Sequence, residues 1–379
     1  MKRPDTLTSG QLSALIFVST LSPAMRLLPW RLAATAGRGV WLSVLLAAAP
    51  LGLLWGVCHI LLKRRLPGEG LGGLLRRGLG RRLGTVICII YMVWLPVYAG
   101  FLLRSAAERL VAVVYDLGSP ALFGVLLLAL AGLAAFGRTR ALGRTAQVVG
   151  ELLLLVLGLV ALLLAPSVKP GNLFPPEDWG GVLRGAAPGY DVGSAFVYLL
   201  FLAGSMEEGP GTRRLARGSL AGLGVGGLLA ALTVGALSPR VAAGAENPFF
   251  VAIRDLSLFG FVERVESVVI ALWVLTDFVY LAAILAAGAR LLSELSPPRP
   301  PRSFAPLLLA AAGAAAVLIA RDAFALRELS RGLVPAVSMA LTTLPPAAAA
   351  AGLSLKKFFK NGKLMLDNHK GAWYIGGAP

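Results

Sequence analysis

At 379 residues, 57% hydrophobic and only 15% charged, with a mean hydropathy of +0.76, the chain has more apolar side chain than a water-soluble core can hide. It reads as an integral membrane protein. Roughly 216 apolar residues suffice for about ten helices at about 20 residues each, which leaves no room for a large extramembrane enzyme domain.

The 36 Lys and Arg against 19 Asp and Glu give a net charge of +17. In a soluble protein that excess would suggest nucleic acid; in a membrane protein it reads as a topological signal and a contact with anionic lipid. No nucleic-acid partner is expected. Cys58 and Cys88 both fall inside apolar runs, so they are expected to pack rather than to form a disulfide or bind metal.

Apolar runs bounded by charge, Pro or Gly predict spans near 9–30, 40–62, 83–103, 120–136 and 146–166, then 183–205, 218–237, 264–292, 304–320 and 331–353. The first follows Lys2 and Arg3 without a small-residue cleavage pattern and reads as a retained helix. With the N-terminus inside, 23 of the Lys and Arg fall in cytoplasmic segments, 12 on the other side, and Arg26 within a span. The bias predicts N-in, C-in and an even number of spans. Residues 1–354 then form a ten-helix permease-like domain. Residues 355–379 hold five of the chain's eight Lys and are expected to form a disordered, basic, lipid-facing cytoplasmic tail.

Two helix breaks recur, at Ser22-Pro23 in span one and at Pro188-Gly189 with Gly193 in span six. They hold corresponding places if the chain is two halves of five spans, the pattern of inverted-repeat transporters with a site at the repeat interface. Catalytic arrangements are nearly absent: there are two histidines, His59 and His369, no phosphate-cradling loop, and no Cys/His pairing. Neither enzymatic activity nor a cofactor or metal is expected. The glycines around 222–227 read as close helix packing.

Tyr91, Trp94, Leu95 and Tyr98 fall at i, i+3, i+4 and i+7 and share one face of span three. Trp273, Thr276, Asp277 and Tyr280 have the same spacing in span eight. Taken singly, each residue is accounted for by bundle filling and interhelical hydrogen bonding; taken together, the two faces suggest a pocket. Its expected lining is Ser22, Pro23, Ala24, Met25, Tyr91, Trp94, Leu95, Tyr98, Pro188, Gly189, Tyr190, Gly193, Ser194, Phe196, Thr276 and Tyr280. Ionisable groups at membrane depth need partners, and Arg26 with Asp277 is an expected intramembrane charge pair. Glu151 and Asp191 lie closer to breaks or ends.

The stretch from Asn247 to Trp273, and above all Phe261-Val262-Glu263-Arg264-Val265-Glu266 before the early Trp273, resembles the spore germination permeases, the B subunits of endospore germinant receptors. Further matches are Thr8-Ser9-Gly10-Gln11-Leu12, the Tyr98, Arg104 and Glu108 spacing, Arg144-Thr145-Ala146, and Gly185-Ala186-Ala187-Pro188. The resemblance runs from about residue 6 to 353. It departs from the family where Pro23 and Arg26 crowd the first break and where Asp277 replaces a small or apolar residue.

That family is similar to the amino acid/polyamine/organocation transporters. The resemblance therefore implies an all-α integral membrane fold of ten helices in a LeuT-like inverted 5+5 repeat, with helices 1 and 6 unwound at the ligand. It also implies a nutrient germinant of the amino acid class as ligand; A and C receptor subunits as partners; and the inner spore membrane as location. The alternatives are a proton- or sodium-coupled amino acid transporter and a scaffold that only assembles the receptor.

Overall fold

In the computed structural model the described residues are 5–114, 119–206, 209, 211–254 and 265–374, and they fold as helices joined by short connections. The order is α1 (Ser9–Ala36), α2 (Val40–Leu62), α3 (Leu71–Leu79), α4 (Arg81–Val114), α5 (Pro120–Ala135) and α6 (Thr139–Leu164). Next come α7 (Trp179–Ser194), α8 (Phe196–Leu199), α9 (Thr212–Leu237), α10 (Pro239–Gly244) and α11 (Pro248–Arg254). The chain closes with α12 (Val265–Leu295), α13 (Ala305–Leu318), α14 (Ala323–Arg331) and α15 (Leu333–Tyr374).

Each span expected from the sequence overlaps a helix, and the sixth, 183–205, is divided among α7, α8 and a 3₁₀ turn. Among the described residues eight segments are long and apolar enough to cross a bilayer. The first, Ser9–Leu62, holds α1 and α2 in tandem, turned at Gly37, whose φ of 54° favours glycine. The 16-residue α5 is shorter than these eight. Leu53, Leu133, Leu155 and Leu318 are each at least 70% exposed. In water such outward apolar faces would drive aggregation; in a bilayer they are the lipid contact.

The helix order divides into two similar halves. A short helix, α3, separates the second and third long helices of the first half, and two short helices, α10 and α11, stand at the same place in the second. The halves meet where α1 packs along α9 and against α7 and α12. That seam is built on missing side chains: a Cβ at Gly218 would approach the Ser13 carbonyl oxygen to 2.5 Å, and one at Gly226 the Ala24 Cβ to 2.3 Å. Close approach of this kind replaces the hydrophobic driving force that helices lack in lipid.

Two details differ from the sequence expectations. First, α1 runs unbroken through Ser22 and Pro23. A proline deletes one backbone bond and bends a helix, and here α9 holds the turns on either side. Second, α7 continues through Pro188, Gly189 and Gly193, and is interrupted only at Ala195, after which the chain passes through α8 into a 3₁₀ turn, Leu200–Ser205. Gly185, Gly189 and Gly193 form a small-residue stripe against α2: added Cβ atoms would lie 2.5 Å from Ser43 Oγ, 2.7 Å from Ala47 Cβ and 2.7 Å from Leu51 Cδ2. The glycines of span six thus serve packing.

The expected boundary after Ser354 falls inside α15, which continues as helix to Tyr374. Residues 261–264 of the Phe-Val-Glu-Arg motif lie outside the described residues, and Val265 and Glu266 open α12. Cys58 and Cys88 are fully buried, and the Cys88 thiol reaches the Gly72 carbonyl at 3.6 Å.

Candidate functional site

The aromatic faces of α4 and α12 do meet. Tyr98 and Tyr280 share a hydrogen bond between hydroxyls at 3.0 Å, with their rings edge to face at 6.2 Å. On the other side Tyr98 packs on Tyr198 of α8, with centroids 5.3 Å apart. The Tyr198 hydroxyl accepts from Trp94 Nε1 at 2.9 Å and donates to Ser338 Oγ at 3.1 Å. Tyr91 is fully buried and donates to the Leu341 carbonyl of α15. Four elements thus converge on a core of phenolic hydroxyls in aromatic walls, beside the interruption of α7 at Ala195.

A second polar cluster adjoins it. Asp277 accepts from Ser22 Oγ of α1 at 2.7 Å and forms an ion pair with Arg109 of α4. Both charged side chains are largely buried, at 8% and 15% exposure. The Arg109 guanidinium also lies over the Trp273 ring, 4.6 Å from its centroid. The expected partner Arg26 does not reach Asp277; it lies 5.7 Å from the Phe101 ring centroid. Ser22, one turn before Arg26 on α1, occupies one carboxylate oxygen and Arg109 takes the other, so Asp277 is filled without Arg26.

The remaining expected pocket residues divide into two groups. Tyr190 bonds Thr343 Oγ1 at 2.6 Å and Ser194 bonds Thr342 Oγ1 at 2.9 Å, so both tie α7 to α15. Ala24 and Met25 are buried within α1, and Leu95 faces Gly288 of α12. Others turn away: Phe196 stacks on Trp55 of α2 at 3.8 Å, Gly189 and Gly193 face α2, and the Thr276 hydroxyl is spent on the Trp273 carbonyl of its own helix at 2.7 Å. Pro188 is buried with the same stripe of α7. Asp191 is buried and paired at 2.9 Å with Arg31 of α1, a second ionic link between helices; Glu151 is exposed on α6.

Arg109, Tyr198 and the α15 residues Ser338, Thr342 and Thr343 were missed from sequence. For Arg109 a signal existed: Ser105 and Arg109 lie seven and eleven residues beyond Tyr98, which extends the same α4 face by two and three turns. The α15 hydroxyls lie in an Ala-rich, Pro-containing run with no aromatic periodicity to mark them.

A bundle whose two similar halves enclose a polar core beside an interrupted helix is the architecture of a secondary transporter. Solved structures agree. The chain has a TM-score of 0.64 to Mhp1, a nucleobase-cation-symport-1 family transporter in a closed conformation with bromovinylhydantoin bound, at 13% identity, covering 89% of this chain and 78% of that one. An inward-facing conformation of Mhp1 gives 0.61 at 14% identity, covering 92% and 77%. A Na⁺-coupled sialic acid symporter in its substrate-bound outward-open state gives 0.59 at 15% identity, covering 89% and 78%. The fold is therefore that of the LeuT-like transporters.

Residues 6–322 match the spore germination protein family, the spore permeases. The chain belongs to that family, as the motifs in its sequence imply. No curated protein matches it.

Proposed function

We propose that this chain is the nutrient-binding B subunit of a spore germinant receptor in the inner spore membrane, with ten spans, both termini cytoplasmic, and A and C subunits as partners. Residues 1–354 are then the permease unit and 355–379 its basic tail. The observation that carries the reading is a hydroxyl-lined aromatic core, Tyr98, Tyr198 and Tyr280, at the interruption of α7 in a member of the spore permease family. The last-turn carbonyls of α7 suit an ammonium group, the phenolic hydroxyls a carboxylate, and the aromatic walls an apolar side chain. An aliphatic or aromatic amino acid fits these groups better than a sugar, which needs more hydroxyl and amide partners.

Screening the purified protein for thermal stabilisation by amino acids, sugars and nucleosides tests the reading. Saturable stabilisation by an amino acid is expected, and its restriction to sugars or nucleosides would overturn the ligand class. A coupled amino acid transporter is favoured by one observation, the Asp277 carboxylate inside a membrane helix, because such a group is able to carry a coupling proton or cation. Uptake of labelled amino acid into proteoliposomes driven by a proton or sodium gradient would establish that alternative; a receptor subunit binds without accumulation.

A further inference from the structure

A cavity of about 70 Å³ opens beside Arg109, bordered by Arg26 and Trp30 of α1, Ser105 and Arg109 of α4, Asn247 and Arg327. A water needs about 10–15 Å³ of such space, so the cavity has room for a small anion. Ser105 lies two helical turns, about 10 Å, along α4 from Tyr98, so the cavity adjoins the tyrosine core, and none of Tyr98, Tyr198 and Tyr280 lines it.

Its polar groups are left short of partners. Ser105 is 5% exposed, and its Oγ has no hydrogen-bond partner among the described residues. Arg109 is 8% exposed; its Nη2 is committed to Asp277 while its Nη1 has no partner among the described residues. A buried donor in that state costs about 1–3 kcal/mol, more when it is charged. Arg26 has no carboxylate within salt-bridge distance among the described residues.

The charge balance is positive as well. Two carboxylates border the cavity: Glu108 is joined to Arg104 at 2.6 Å, and Glu246 is exposed to solvent. Against Glu246 and Asp277 stand three guanidinium groups, those of Arg26, Arg109 and Arg327. The Trp30 ring supports the last of these, 5.2 Å from its centroid.

We propose that this cavity is an anion site for a small carboxylate, with Arg26 and Arg109 Nη1 as its charged ligands and Ser105 Oγ as a neutral donor. A planar carboxylate accepts from the fork of a guanidinium and from a hydroxyl together. Because Nη1 is the unused arm of Arg109, the anion binds alongside Asp277 and leaves the Arg109–Asp277 pair in place. The inference does not depend on the nutrient reading.

The test uses the full-length purified protein and acetate as the probe. Sodium acetate replaces sodium gluconate, a bulkier anion, at constant ionic strength while the unfolding midpoint is followed. Acetate is expected to raise the midpoint saturably, by about 2 °C or more. Ser105→Ala, which removes the hydroxyl at nearly constant volume, and Arg26→Gln are each expected to reduce that rise at least threefold. Tyr280→Phe is expected to keep it, which separates this site from the nutrient core. If Arg26→Gln fails to fold, Ser105→Ala decides alone. The absence of a saturable rise in the parent protein, or its persistence in Ser105→Ala, would overturn the site.

Discussion

Arg109 of α4, and not Arg26 of α1, is the cation that meets Asp277 of α12, and Ser22 of α1 holds the same carboxylate from its other oxygen. One acidic side chain thereby joins three helices drawn from both halves of the fold. Removing one member of a buried pair strands the other charge, at about 3–5 kcal/mol, whereas removing both costs much less. Asp277→Asn and Arg109→Gln should each lower the unfolding midpoint strongly, and the double variant should recover much of the loss. The corresponding cycle between Arg26 and Asp277 should show a smaller coupling. Additive losses for Arg109 and Asp277 would mean that the pair does not form in the membrane.

Packing of α7 on α2 gives a prediction of opposite chemistry. A side chain at Gly189 meets Ala47 Cβ at 2.7 Å, so Gly189→Val must separate the helices and should cost about 1–3 kcal/mol. Gly56, with nothing within 4 Å of an added Cβ, is the control: Gly56→Ala should not lower the midpoint. Were Gly189→Val as stable as the parent, the stripe of Gly185, Gly189 and Gly193 would not be the contact that positions α7.

These two cases show what the sequence carries and what it hides. Helix positions were legible, because long apolar runs have one solution in lipid and the α4 and α12 faces repeat at helical spacing. The role of Pro and Gly in α1 and α7 was not. A glycine that relieves packing and one that breaks a helix look alike until the neighbour is known, and Ala47 and Leu51 lie about 140 residues away in the chain. The tyrosine core was half legible for the same reason. Tyr98 and Tyr280 announce themselves by periodicity, but Tyr198 and Ser338 are brought to them by tertiary folding alone. Arg109 continues the Tyr98 face of α4 three turns on, and its partner Asp277 lies 168 residues away in the chain.

The proposed N-in, C-in orientation rests on the basic-residue bias, and the structure selects the positions at which to test it. Gly70 is buried, and a side chain there would strike Glu294 and the Phe201 carbonyl, whereas Pro67 in the same connection is exposed. On the opposite end Gly171 is exposed with nothing within 4 Å. In a background lacking Cys58 and Cys88, Pro67→Cys should label from the cytoplasmic face and Gly171→Cys from the other. Labelling of both from one side would defeat the N-in, C-in arrangement.

The nutrient site is best tested by two variants of identical chemistry. Tyr280→Phe removes the hydroxyl that pairs with Tyr98, at 3.0 Å in the buried core, and leaves the ring in place. Tyr190→Phe removes a hydroxyl that pairs with Thr343, at 2.6 Å on the half-buried seam between α7 and α15. Each deletes one hydrogen bond and should cost about 1 kcal/mol of stability, so stability alone does not distinguish them. Function does, if the tyrosine core holds the nutrient's polar head: a lost hydroxyl there leaves both the ligand and Tyr98 short of a partner. Spores carrying Tyr280→Phe should need at least tenfold more nutrient to germinate, with the subunit at its normal level in the spore membrane, and Tyr190→Phe should shift sensitivity less than threefold. Equal shifts in the two variants would trace the effect to helix packing. A normal response in Tyr280→Phe would place nutrient recognition outside the Tyr98, Tyr198 and Tyr280 core and favour a subunit that assembles the receptor without binding the nutrient itself.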